Sequence, residues 1–417
     1  MEGPFSLQSE TEKTKSLLHL ACTLWITLAV IMAARTLLSP RSHTVFPVFA
    51  ASSQHWWTNQ PLYAYYPSLD LFRYSPTFAV TITPFAALGL RAGGILWSWV
   101  SLAVFATGLW RFAHDVLPER WSRSRMTSFF TVGAFIALPG IWNSQSNTLV
   151  VGLVLLASSS LIRERWWTTA ILLAAAVWTK LTPLAPALLL CALRPARLVP
   201  RFAATLALGS LIPFFTRPPD IVLACYTEWF TQMANTSSTR WPGFRDGWTL
   251  WIAMTEHFQD HPWPFWLTSP VDSIWYRTLQ GLGALGALAW CLWQKVQGIT
   301  ARRLFCLGLG MGMAWMLLFG PAVEHATYVF LAPFLAWAMH QRQVWQHGRW
   351  LAHSAFVLIA VLGWDPLTGP LLSMQPLLAA CLPLGTALFT FWLIGYAHSF
   401  GPCSSENLSI RPGPKNE

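Results

Sequence analysis

The sequence predicts an all-α, polytopic bundle of transmembrane helices, and three observations predict it. Apolar residues make up 54% of the chain and charged residues only 11%, where a soluble domain carries roughly a quarter charged. Apolar runs of spanning length recur from one end to the other. Trp and Phe, 26 of each, include the pairs Trp56-Trp57 and Trp166-Trp167 at segment edges, where amphipathic rings settle at the membrane interface.

Taken in order, apolar stretches cover about 16–38, 75–91, 93–112, 127–142, 146–162, 166–194, 201–216, 275–294, 303–320, 322–340, 349–364 and 372–397, or about twelve helices in one membrane domain spanning 1–398. The first follows a polar head with Lys13 and Lys15 and reads as a retained helix instead of a cleaved signal peptide. An outer loop over 39–74 comes next. Within it Phe46, Phe49, Ser53, Trp56 and Trp57 repeat at helical spacing, which predicts a helix lying in the interface. A second outer loop, 217–274, is too long for a plain connection and is expected to be ordered. The tail from 399 to 417, rich in Pro, Gly, Ser and Asn, is expected to be disordered.

The formal charge of +10 forms no basic stripe. Lys and Arg are scattered through short turns beside apolar runs, so the expected counter-ion is the membrane lipid surface and not nucleic acid. From residue 190 onward the basic turns alternate as the positive-inside bias requires. Earlier, simple alternation puts Arg120, Arg123, Arg125, Arg163 and Arg165 on the wrong side. A break of 166–194 at Thr179-Lys180-Leu-Thr-Pro183 repairs half of this discrepancy; a second irregularity nearer the N-terminus is then required, which the sequence does not place, 75–91 with its Pro76 and Pro84 being one candidate. Seven cysteines, with no CxxC spacing, imply neither a disulfide framework nor a metal site, and no cofactor is expected.

Polar residues in such a chain are the candidates for chemistry. The first outer loop reads Pro61-Leu-Tyr63-Ala-Tyr65-Tyr66-Pro67, then Asp70-Leu-Phe-Arg73-Tyr74-Ser75-Pro76. Asp70 is a carboxylate among aromatic rings, suited to accept a proton from a sugar hydroxyl while rings pack on sugar faces; its plain alternative is a surface pair with Arg73. Asn143-Ser-Gln145-Ser-Asn147 brings three carboxamides together. They suit hydrogen bonding to a sugar or phosphate, or a helix turn capped by Asn143 or Ser146. Lys180, inside an apolar run, is expensive at membrane depth and has an anionic phosphate as its natural partner, with snorkelling to the interface as the alternative. Glu324-His325 with Tyr328 opens a helix after Gly320-Pro321, suited to a leaving phosphate or to simple capping. Arg245-Asp246, in the second loop, fits a phosphate clamp or a surface ion pair.

In this order the pieces resemble glycosyltransferase family 87, polyprenyl-phosphate-sugar-dependent membrane enzymes of the GT-C fold that include bacterial mannosyltransferases. The resemblance rests on Pro61-Leu-Tyr63 with Phe72-Arg-Tyr74-Ser-Pro76, on Ser144-Gln145-Ser-Asn147 where the family has Gly-Gln-x-Asn, on Thr179-Lys180-Leu-Thr-Pro183, and on Glu324-His325-Ala-Thr-Tyr328 with Pro333. It implies transfer of a mannose-like hexose from a polyprenyl-phosphate donor to a lipid or glycan acceptor on the extracytoplasmic face of a bacterial plasma membrane. Asp70 and Glu324 are then the candidate bases, with Tyr63, Arg73, Tyr74, Gln145, Asn147, Lys180, Arg245, Asp246, His325 and Tyr328 as candidate binding residues. The family's Asp-Phe pair is absent, because the corresponding stretch reads His43-Thr44-Val45-Phe46-Pro47. The base is therefore Asp70, Glu324 or missing. A transporter or flippase, or a non-catalytic lipid-glycan binding subunit, is the competing class.

Overall fold

The computed structural model describes residues 4–42, 44–119, 121–236, 274–320, 323, 325–341, 348–363 and 381–399. Among these, helices are the regular structure and no strand occurs, with sixteen α-helices in place of the twelve expected and a non-helical stretch over 58–75. Five described helical stretches are long and apolar enough to cross a membrane: His19–Leu38, Gly89–Val116, Pro195–Phe215, Ala301–Phe319 and Cys381–His398. Shorter apolar helices fill the space between them.

Helix α1 (Pro4–Leu38) leads to α2 (Phe46–Trp57), whose buried face carries Phe46, Phe49, Ser53 and Trp56, as the helical spacing predicts. The apolar stretch 75–91 is not one helix. Ser75 caps α3 (Pro76–Thr81) by accepting from the Phe78 amide at 3.2 Å, with Pro76 preset for the first turn. Then α4 (Thr83–Ala86) ends, and Gly89 takes φ +77°, a turn open to glycine, before α5 (Gly89–Arg111) runs on into a π-turn over Phe112–Val116.

Next come α6 (Arg123–Trp142), α7 (Ser146–Ile162), α8 (Trp166–Thr179), α9 (Leu184–Leu193) and α10 (Pro195–Ser210). The 166–194 stretch breaks where Lys180 and Pro183 led us to expect. With 75–91 removed from the crossings and 166–194 counted twice, the basic turns around 111–125, 163–165, 194–201 and 295–303 all fall at one end of the bundle. The discrepancy in the first half disappears.

The loop expected over 217–274 begins as a helix, α11 (Pro219–Thr236), which lays Val222, Cys225 and Trp229 onto the 39–88 segment. The rest of that loop, and the tail beyond 399, lie outside the described residues. Helices α12 (Ile274–Val296) and α13 (Ala301–Phe319) follow. The 322–340 stretch opens as a 3-10 helix over His325–Leu331 before α14 (Ala332–Met339). Helices α15 (Gly348–Phe356), continued by a π-turn, and α16 (Cys381–His398) complete the described chain.

Small residues permit the tight crossings, as they do between membrane helices generally. A Cβ at Gly108 of α5 would come within 2.7 Å of the Gly152 carbonyl of α7, and one at Gly312 of α13 within 2.9 Å of Pro186 in α9. One large core runs through the bundle. A second, smaller core of Phe46, Phe49, Trp56, Leu62, Phe72, Phe78, Trp97 and Val222 sits under the polar end and holds the 39–88 segment in place.

Candidate active site

The break between α8 and α9 sets the first functional group. Lys180 leaves the helix in extended conformation, φ −152° and ψ 137°, at the C-terminal end of α8, where a cation is favoured. Its Nζ donates to Asn147 Oδ1 at 2.8 Å. Asn147 is fully buried in the first turn of α7, and its Nδ2 donates to Gln145 Oε1 at 2.5 Å and to the Ala326 carbonyl at 3.2 Å. An ammonium only donates, so the orientation of the carboxamide follows from its partners. One buried side chain thus ties together the α7 start, the α8–α9 break and the 3-10 helix.

The turn before α7 explains how Gln145 is presented. Asn143 is the C-cap of α6, not the cap of α7, and the N-cap of α7 is Gln145 in extended conformation, with no side-chain cap. Ser144 lies between them at φ +49°, in the left-handed region that favours glycine. Its hydroxyl lies 3.0 Å from that of Ser98 and accepts from Arg35 at 3.4 Å, and its carbonyl accepts from Trp97 Nε1 at 3.0 Å.

The aromatic loop is fastened to this frame from three sides. Ser75 Oγ donates to the Trp178 carbonyl at 2.6 Å, joining the loop's end to the α8 terminus beside Lys180. Trp229 of α11 donates to the Arg73 carbonyl at 3.2 Å. The Tyr74 ring stands edge-on to Phe49 at 4.9 Å and close to Phe78 at 5.0 Å. Tyr63 donates to the Tyr74 carbonyl at 3.0 Å. Burial above all, then the neighbouring Cys225, Tyr226 and Glu228, pushes the Tyr63 phenol well above its ordinary value, so it stays a donor.

A cavity of about 720 Å³ opens at this junction. Asp70, Arg73, Tyr74, Gln145 and Lys180 line its polar end, with Val45 beside them. Its other walls are apolar, from α9 (Leu184, Leu188, Leu189), α12 (Ala287, Leu288) and α13 (Met316). A broader depression of about 2230 Å³ meets it at Asp70, Leu71 and Arg73 and is lined by Thr44, Tyr63, Tyr65, Tyr66 and Glu228 among others. Asp70 is exposed at the junction of the two spaces.

The structure therefore gathers five of the candidate residues at the cavity, with Asn147 behind them and Tyr63 in the depression. His325 is buried at the start of the 3-10 helix, next to the carbonyl that Asn147 holds. Tyr328 is 2% exposed within the large core, off the cavity wall. Glu324, Arg245 and Asp246 lie outside the described residues. Glu228, an acid on the depression, was not among the sequence candidates; the spacing of Val222, Cys225 and Trp229 at i, i+3 and i+7 is the signal, sparse among polar residues, that could have placed its helix.

The model of glycosyltransferase family 87 matches residues 72–321, more than half of the chain and all of the loop end, carboxamide turn and lysine break just described. The chain belongs to glycosyltransferase family 87. This family 87 protein is accordingly a membrane glycosyltransferase. Two solved structures are similar to it, both of ArnT from Cupriavidus metallidurans. The form bound to undecaprenyl phosphate is 16% identical, with a TM-score of 0.34 over 90% of this chain and 77% of that one. The apo form is 15% identical, with a TM-score of 0.36 over 90% and 78%. No curated protein matches the chain. The left-handed backbone at Ser144 is one that glycine adopts without strain, which agrees with the glycine that the resemblance sets at this position. In the stretch that lacks the Asp-Phe pair, Val45 faces the cavity and Thr44 the depression.

Proposed function

We propose that this family 87 enzyme transfers a mannose-like hexose from a polyprenyl-phosphate donor to a lipid or glycan acceptor at the extracytoplasmic face. The observation that carries this reading is the two-part cavity, whose cationic, hydrogen-bonding end continues into an apolar channel between α9, α12 and α13. That division matches a phosphate on a polyprenyl chain. The basic turns collect at the opposite end of the bundle, and the positive-inside bias assigns that end to the cytoplasm.

In this reading Lys180 and Arg73 face the donor phosphate, and Gln145 orients the sugar. The acceptor hydroxyl approaches through the depression. Its oxygen bonds to the anomeric carbon as the bond from that carbon to the phosphate oxygen breaks. The electron pair leaves on the phosphate, where fixed cations in a low-dielectric site stabilise it. Asp70, at the junction of donor and acceptor spaces, takes the hydroxyl proton.

The test is transfer of radiolabel from polyprenyl-phosphate-mannose to extracted membrane lipids by the purified protein and its Asp70→Asn, Glu228→Gln and Glu324→Gln variants. Loss with Asp70→Asn alone supports the assignment. Full activity in that variant overturns the role of Asp70, and absence of transfer in the wild type overturns the donor.

A further inference from the structure

A third concavity extends the acceptor side to the edge of the bundle. It is a notch of about 620 Å³ between the end of α1 and the start of α5, lined by Ser39, Pro40, Arg41, Ser42, Leu88 to Leu90 and Arg91. Arg41, Gly89 and Leu90 also line the depression, so the two spaces are continuous. The notch lies where the spans His19–Leu38 and Gly89–Val116 end together, which places it at the membrane boundary.

Its chemistry is divided as an anionic lipid is divided. Arg41 and Arg91 are both exposed in the notch, and Arg91 is held there by donating from Nε to the Leu37 carbonyl at 3.1 Å. That bond uses one edge of the guanidinium and leaves its terminal nitrogens for an anion. Around them Leu37, Leu38 and Leu88 are 52%, 83% and 52% exposed, an apolar fringe suited to acyl chains. Arginines at this end run against the positive-inside bias, so two of them sharing one notch call for a local anion. A free phosphate has no use for the fringe.

We infer that the notch binds the phosphate of an anionic lipid of the outer leaflet, and that the acceptor is such a lipid, anchored at Arg41 and Arg91 with its headgroup reaching across the depression to Asp70. The second clause rests on the reading of Asp70 proposed above; the first does not. The acceptor thus enters sideways from the membrane and keeps its chains there while its hydroxyl reaches the donor.

The experiment is native mass spectrometry of the purified protein titrated with phosphatidylglycerol or phosphatidylcholine. The variants are the double substitution Arg41→Gln/Arg91→Gln, Arg277→Gln and Asp70→Asn. Arg277 is exposed at the same end but outside the notch. The wild type is expected to retain phosphatidylglycerol preferentially. The double variant should lose about twenty-five-fold in that retention, at roughly fivefold for each surface cation. Arg277→Gln should retain it, and Asp70→Asn should retain it while losing transfer, which separates this site from the catalytic reading. Equal retention of the two lipids, an undiminished preference in the double variant, or an equal loss in Arg277→Gln overturns the site. Displacement of the lipid by excess inorganic phosphate alone overturns the choice of a lipid as its occupant. If the double variant transfers sugar with an unchanged KM for the lipid extract, the notch does not serve the acceptor.

Discussion

Ser144 provides a test in which the sign, not only the size, is set by the structure. At φ +49° a side chain costs about 1–2 kcal/mol relative to glycine, because Cβ crowds the carbonyl. The serine recovers part of that through its contacts with Ser98 and Arg35, worth about 1 kcal/mol net. Ser144→Gly removes the strain and the contacts together and should fall within about 1 kcal/mol of wild type. Ser144→Ala keeps the strain and loses the contacts, so it should be the less stable of the two by about 1–2 kcal/mol. At an ordinary helical or extended position the order reverses, alanine being favoured by roughly 0.5–1 kcal/mol. The assay is the thermal midpoint of the purified protein in one detergent at one scan rate, with label transfer measured in parallel. Because the turn presents Gln145, the glycine variant should also keep its activity. An alanine variant more stable than the glycine variant would refute the left-handed turn, and with it the agreement with the glycine that the resemblance sets there.

On the proposed reading, replacing Lys180 by Met removes a cation facing the donor phosphate and should lower transfer by about 10²-fold or more, and steady-state kinetics with the polyprenyl-phosphate sugar would show it; unchanged kcat/KM would remove Lys180 from the mechanism. Gly152→Ala should destabilise the protein by about 2 kcal/mol or more, because its Cβ would come within 2.7 Å of the Phe105 amide nitrogen and the Val104 carbonyl; a neutral result in thermal unfolding would argue against the close α5–α7 crossing. His55 stacks on Tyr66 at 4.1 Å, and burial pulls its pKa below the usual 6.5. As pH falls below 6.5 the unfolded chain takes up the proton first, so the native state loses stability until the pH drops beneath the lowered value. Thermal midpoints at pH 7.5 and 5.5 should therefore converge in His55→Asn relative to wild type, and a wild type gaining stability in acid relative to that variant would contradict this.

The parts of this fold legible in sequence are those in which local chemistry contradicts its surroundings. Lys180 and Pro183 stand inside an apolar run, so the α8–α9 break was readable, as was the amphipathic face of α2. The split at 75–91 was only half readable: Pro76 and Pro84 made it one place for the missing irregularity, but hydropathy counts apolar residues without knowing whether they face lipid or the smaller core. There Phe78 and Ile82 are buried against Phe49 and Trp97, not against a bilayer. Helix α11 was hidden by its mixed composition, and Glu228 with it. The candidate residues at the cavity were picked for their type and setting. Their convergence depends on Asn147, whose three partners come from segments 2, 33 and 179 residues away, a span no local pattern encodes.

The short α8 also bears on the bilayer itself. Its 14 residues rise about 21 Å at 1.5 Å per residue, against a hydrocarbon thickness of about 30 Å. With Trp166-Trp167 set at one interface, as the proposed orientation has them, the helix stops roughly 9 Å short of the other. Lys180 and the cavity it lines then sit below the level of the lipid phosphates in that orientation. Either the substrate phosphate descends or the membrane dimples to meet it, and both become harder as acyl chains lengthen. On the function proposed above, transfer measured in vesicles should therefore fall as the acyl chains of the host lipid lengthen, and an equal rate in thin and thick bilayers would contradict it.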